Sequence, residues 1–131
     1  MVFFMKKNKK TSRKSLEREL DNLWRSVVYK NADYECEYCG STGRLNAHHI
    51  FSRSNKNVRH DPDNGVCLCV SHHVFGKLSF HKSPLEMLEW IREIRGEDWY
   101  NQLRSRAMER KKLSIVDLEN IKEKLLKFIC Q

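Results

Sequence analysis

All six histidines of the chain lie between His48 and His81, and four of its five cysteines fall between Cys36 and Cys69. The stretch opens as Cys36-Glu-Tyr-Cys39-Gly40, continues with His48-His49-Ile50, and ends Asn64-Gly-Val-Cys67-Leu-Cys69-Val-Ser-His72-His73. So many sulfur and nitrogen donors at short spacing constrain the chain to fold around metal, and there are enough of them for two separate sites.

The length, 131 residues, suits one compact domain, and 40% hydrophobic residues provide a small core that a structural metal would help hold together. The cysteines are too few for a disulfide scaffold, and they sit at metal-ligand spacing. Met1-Val-Phe-Phe-Met5 is too short for the apolar region of a signal peptide. A reducing cytoplasm is therefore expected. No apolar run approaches the roughly 20 residues of a membrane-spanning helix. Of the net charge of +8, most sits in residues 1–14, which hold six Lys/Arg and no acid; the rest carries 19 basic against 17 acidic side chains. This basic tail reads either as a flexible solubilising end or as a segment that tracks a phosphate backbone by counterion release.

From Ser15, Leu16, Leu20, Leu23, Trp24, Val27 and Val28 recur at three- and four-residue steps, which predicts an amphipathic helix ending near Lys30. Short strands are expected at Arg44–Ile50 and Gly65–Cys69, joined by a polar loop with the turn signal Asp61-Pro-Asp-Asn-Gly65, and one or two turns of helix at Ser71 to about Leu78. Ser83-Pro84-Leu85-Glu86 predicts a capping box opening a helix that Gly96 closes. A further helix is expected over Asp98–Lys111, and Ser114 to Asp117 caps a last one bearing Leu118, Ile121, Leu125 and Phe128. That final stripe fits core packing, a homodimer seam or a partner-helix seam. The fold class is α+β: a core of residues 15–82 with an N-terminal helix, and a helical extension, 83–131, packed on it.

A structural zinc site takes two ligand pairs, each on a tight turn, and Cys36/Cys39 with Cys69/His72 supply them. Cys67 is an alternative to Cys69, because strand alternation puts both on one face; the spacing to His72 favours Cys69. His48, His49 and His73 remain beside this knuckle, with His60 and His81 further out. As neighbours on a strand, His48 and His49 face opposite ways, so one can bind metal while the other faces a substrate.

The order Cys-x-x-Cys, His-His-Ile, Asn, Cys-x-x-His-His resembles the HNH endonucleases and their ββα-metal fold, over roughly Cys36 to His81. The preceding Leu-Asp-Asn-Leu-Trp helix and the downstream Glu-Trp-Ile segment resemble phage-encoded NinG recombination proteins and the endonuclease VII group. The resemblance implies His48 and His73 as ligands of one catalytic divalent ion (Mg²⁺, Mn²⁺, Ni²⁺ or Zn²⁺), and His49 as general base. It implies Asn64 as the residue that holds the loop and positions that base, and DNA as the partner, in a bacterial host cytoplasm if the chain is phage-encoded. His72 stands where relatives commonly have cysteine, so three thiolates and one imidazole would hold the structural zinc. Arg53, Lys56 and Arg59 are candidate phosphate contacts or a solvated charged loop. His81 is a third metal ligand, a phosphate contact or a solvated histidine. Besides a metal-dependent DNA endonuclease, a silent zinc module that binds nucleic acid and an interaction adaptor using the last helix fit the pattern. The surplus histidines beside the knuckle favour the nuclease.

Overall fold

The computed structural model describes residues 12–131. Most of the basic tail, residues 1–11, lies outside the described residues, while Arg13 and Lys14 belong to the first helix rather than to the tail. The elements are α1 (Arg13–Asn31), β1 (Leu45–His49), β2 (Gly65–Cys69), α2 (Pro84–Arg95), α3 (Glu97–Ala107) and α4 (Ile115–Ile129). A single 3₁₀ turn (Pro62–Asn64) leads into β2, and a π turn (Ser71–Phe75) follows it. The class is the expected α+β.

The first helix starts at Arg13 because Ser12 caps it, its hydroxyl accepting from the Ser15 amide at 3.0 Å. Its apolar face, Leu16, Leu20, Trp24, Val27 and Val28, is buried against Leu118 and Leu125 of α4 and against Cys67 and Ala47 of the hairpin. The stripe on α4 is thus core packing with α1, although Phe128 at its end stays 40% exposed. Lys30 fastens the two helices by donating to the carbonyls of Phe128, Ile129 and Gln131.

The strands pair antiparallel, with Asn46 opposite Leu68, His48 opposite Val66, and His49 opposite Gly65. Alternation divides the hairpin into two faces. Ala47 and Cys67 join the cluster under α1. Val66 and Leu68 join a second cluster with Cys36, Cys69, Phe80, and Met87 and Ile91 of α2. Cys67 and Cys69 therefore end in different clusters despite their shared strand parity, because β2 stops at Cys69 and the chain turns away. Gly65 is required by packing: a Cβ there would lie 2.3 Å from Val28 and 2.8 Å from Trp24, so only glycine lets α1 lie this close to the strands.

Three local expectations change. Ser83 does not cap α2; its hydroxyl donates to the Lys77 carbonyl at 2.6 Å, so only the proline at the first position starts that helix. The turn after β2 is a π turn of five residues, closed by the Gly76 amide on the Ser71 carbonyl at 2.7 Å, not helix to Leu78. The third helix ends at Ala107 rather than Lys111, because Asn57 binds both the amide and the carbonyl of Lys111, while Asn55 takes the Ala107 carbonyl. By contrast, Ser114 and Asp117 do form the expected reciprocal cap of α4.

Candidate metal centres and the histidine between loop and helix

The knuckle is built at the end of the hairpin. Gly40, at φ +80, turns the chain so that its amide reaches the Cys36 carbonyl at 2.8 Å. Arg95 of α2 then ties the knuckle to β2: it pairs with Glu37 at 2.8 Å, whose other oxygen accepts from the Cys67 amide. The ligand atoms of Cys36, Cys39, Cys69 and His72 all lie within 4.8 Å of one another. Cys39 Sγ is 3.8 Å from Cys69 Sγ, and His72 Nδ1 is 3.3 Å from Cys69 Sγ and 3.9 Å from Cys36 Sγ. Tetrahedral zinc at its usual bond lengths separates two sulfurs by about 3.8 Å, and sulfur from nitrogen by about 3.5 Å. The donor set and its spacing therefore fit a structural zinc ion. Burial raises the Cys36 thiol, but the amides of Cys69, Cys39 and Tyr38 more than offset this and lower it, favouring the thiolate that zinc needs. Cys67 stands apart in the core, pushed up to about 12 by burial and by Glu37. Tyr38 packs on the His72 ring at 4.4 Å and on Trp90 at 4.9 Å, so these aromatics wall the knuckle.

A second cluster forms from His48, His73 and His81, whose ligand nitrogens also lie within 4.8 Å of one another. The backbone brings His81 there: the amides of Phe80 and His81 donate to the carbonyls of His72 and His73, laying residues 80–81 beside the π turn. His73 Nε2 is 3.2 Å from His81 Nε2. Two imidazole nitrogens bound to one divalent ion at about 2.1 Å would be separated by roughly 3.0–3.4 Å, so this spacing fits a shared ion. The Asn46 side-chain oxygen lies 3.1 Å from His73 Nδ1. An amide oxygen only accepts, so Nδ1 carries the proton and Nε2 keeps its lone pair for the cluster. Burial, then the neighbouring histidines, holds His48 down at about 3, and burial also lowers His73, so both imidazoles are neutral and able to ligate.

His49 points the other way, onto α1. Its ring stacks on Trp24 with centroids 3.9 Å apart and planes 6° from parallel. Trp24 is fixed in turn by donating to the Asp61 carbonyl at 2.8 Å. His49 Nε2 lies 2.9 Å from the Arg59 carbonyl, which only accepts; Nε2 is therefore protonated and Nδ1 is left as the free base. Burial lowers His49 below the usual imidazole range, which keeps it neutral.

Asn64 is fully buried and its amide is saturated. Its oxygen accepts from the Phe51 amide at 2.7 Å, and its nitrogen donates to the carbonyls of Phe51 and Val58 at 2.9 and 3.0 Å. It thereby staples both ends of the loop that carries Arg59. The loop's cations are spoken for by two acids of α1. Arg59 makes a two-pronged pair with Asp21 at 2.7 and 3.0 Å, Arg53 reaches the same carboxylate, and Lys56 pairs with Glu17 at 2.9 Å. Arg53 and Lys56 remain more than half exposed, whereas Arg59 is 13% exposed; the expectation of a phosphate contact carries over to the first two, since the Arg59 guanidinium is turned inward. Burial raises Asp21, yet hydrogen bonds from Arg59 and His60 prevail and bring it to about 2.

The structure thus groups the zinc quartet as expected and adds His81 to His48 and His73. Sequence reasoning missed Asn46, Trp24 and Asp21 as neighbours of these groups. For Asn46 the signal was available, since it sits two residues before His48 and so on the same strand face.

Residues 36–74 match the family model of the HNH endonucleases. No curated protein and no solved structure matches the chain. Among the described residues, no helix is long and apolar enough to cross a membrane.

Proposed function

We propose that this chain is a metal-dependent endonuclease of the HNH type that hydrolyses DNA phosphodiester bonds. What carries the reading is one pair of neighbours on β1: His48 joins a convergent trio of imidazoles, and His49 offers a free Nδ1 on a ring whose Nε2–H is held by a carbonyl. The match of residues 36–74 to the HNH endonucleases supports it.

In this reading His48 and His73, joined by His81, hold a divalent ion, Mg²⁺, Mn²⁺, Ni²⁺ or Zn²⁺. Such an ion supplies positive charge for the phosphate oxygens and for the leaving 3′ oxygen. His49 accepts the proton of the attacking water at Nδ1, while the Arg59 carbonyl keeps its ring in place. Asn64 holds the loop that presents this carbonyl. Arg53 and Lys56, at the exposed rim, meet neighbouring phosphates. The products are a 3′ hydroxyl and a 5′ phosphate. The likeness to phage recombination proteins extends the reading to DNA recombination or processing in a bacterial cytoplasm.

The test is nicking of supercoiled plasmid with each of these ions, beside an EDTA control and His49→Ala. Metal-dependent nicking is expected, reduced about 10²- to 10⁴-fold in the variant, with zinc content and DNA affinity unchanged. Tight, salt-sensitive DNA binding without cutting under any ion would replace the nuclease with a silent binding module.

A further inference from the structure

The base proposed for catalysis is held through a single peptide unit, the one joining Arg59 to His60, whose oxygen accepts from His49 Nε2. Both side chains flanking that unit end on the same carboxylate. Arg59 Nε and Nη2 bind Asp21 at 3.0 and 2.7 Å, and His60 Nε2 binds Asp21 Oδ1 at 2.8 Å. Arg53 adds a fourth hydrogen bond to Asp21 from outside at 3.0 Å. Asp21 also stands three residues before Trp24, the indole stacked on His49, so one face of α1 supplies both contacts. Neither residue lies in the segment that matches the HNH endonucleases, which begins at Cys36.

The geometry points to Asp21 as the positioning residue for His49, acting through the Arg59–His60 peptide, with Trp24 as the wall against which the imidazole is set. Helix α1 is then part of the machinery that orients the base, and a nuclease core cut free of it would carry a base without a fixed direction. A loop carbonyl alone is a weak anchor, because a peptide oxygen in a loop moves with its backbone. Two side chains pinned to one charged group on a packed helix remove that freedom. Asp21 touches neither water nor phosphate in this scheme, so its loss lowers the rate of the chemical step while leaving substrate binding in place.

This inference rests on the base role proposed for His49, and the experiment separates the two. Cleavage kinetics are measured for the wild type, Asp21→Asn, Arg59→Lys, His49→Ala and the double variant Asp21→Asn/His49→Ala, each with zinc content and melting temperature determined. Imidazole ¹⁵N spectra of His49 are recorded for the wild type, Asp21→Asn and Arg59→Lys. Asp21→Asn is expected to lower kcat about tenfold or more, with KM changed less than about twofold, since an ångström of misplacement can cost up to about a hundredfold. Arg59→Lys, which keeps the charge but loses the two-pronged grip, should do the same. In the His49→Ala background Asp21→Asn should change the residual rate less than about twofold, because there is no base left to misplace. The hydrogen-bonded Nε2–H signal of His49 should be present in the wild type and lost or displaced in both single variants. Equal loss of rate with and without His49, an effect confined to KM, or an unchanged Nε2–H signal would each overturn the inference. A wild type that does not cut would sink the nuclease reading instead, while the spectra still decide whether Asp21 holds the imidazole.

Discussion

His72 and His73 are neighbours in the chain, yet they serve different clusters, and the two clusters differ in how they are completed. The knuckle has four donors on two turns, three of them thiols, at tetrahedral spacing; nothing remains to be added. The trio of His48, His73 and His81 has only three donors, all nitrogen, and one of them is exposed, so it is one short of a closed tetrahedral set. A closed set suits a part that holds the fold, and an open set suits a part that reacts. The π turn makes the division feasible, because from it His72 Nδ1 reaches Cys69 Sγ at 3.3 Å while His73 Nδ1 reaches the Asn46 side-chain oxygen at 3.1 Å.

The contrast is sharpest in what each cluster does for stability. Cys36→Ser is expected to lose zinc and to unfold or aggregate, since structural zinc contributes on the order of 10 kcal/mol in small metal-dependent folds. A melting temperature equal to the wild type would erase the distinction between the two sites. His73→Ala should abolish divalent-ion binding at the trio, read by titration calorimetry, while zinc content and the folded state persist; unfolding of this variant would make the trio structural as well. Asn46→Ala should weaken that ion about 10- to 100-fold, because the His73 ring loses the partner that sets its tautomer. An unchanged affinity would mean that the π turn alone orients the ring.

The smallest effect concerns the charge network beside these sites. Asp21 is depressed from 3.8 to about 2, so its pairing stabilises the fold above the unfolded value and is lost as pH falls through the folded one. The difference in urea midpoint between wild type and Asp21→Asn should therefore stay constant from neutral pH down to about 5, and close between about 4 and 2. A gap that already shrinks near pH 6 would assign the effect to a histidine such as His60.

The four knuckle donors were legible because each pair is local: Cys-x-x-Cys and Cys-x-x-His spacing fixes convergence without knowledge of the rest. The opposed directions of His48 and His49 followed equally from strand alternation. For His81 the sequence left three placements open, ligand, phosphate contact or solvated side chain, because its place depends on backbone hydrogen bonds across an irregular segment that closes with five-residue spacing at Gly76. The partners of Arg53, Lys56 and Arg59 were hidden for a related reason: Glu17 and Asp21 are one turn apart on a helix face that reads as solvent-exposed, and the loop folds back onto it from more than thirty residues away. Ser83 had the right neighbours for a cap, but its hydroxyl donates to the Lys77 carbonyl and accepts from no helix amide.

The stacking of Trp24 on His49 has an optical consequence. An indole in face contact with an imidazole loses excited-state energy to it, more so when the imidazole is protonated, so the emission of Trp24 reads the charge and placement of that ring. With Trp90 and Trp99 replaced by phenylalanine, Trp24 would be the one tryptophan left, and binding or displacement at the His49 ring could be followed without an added label.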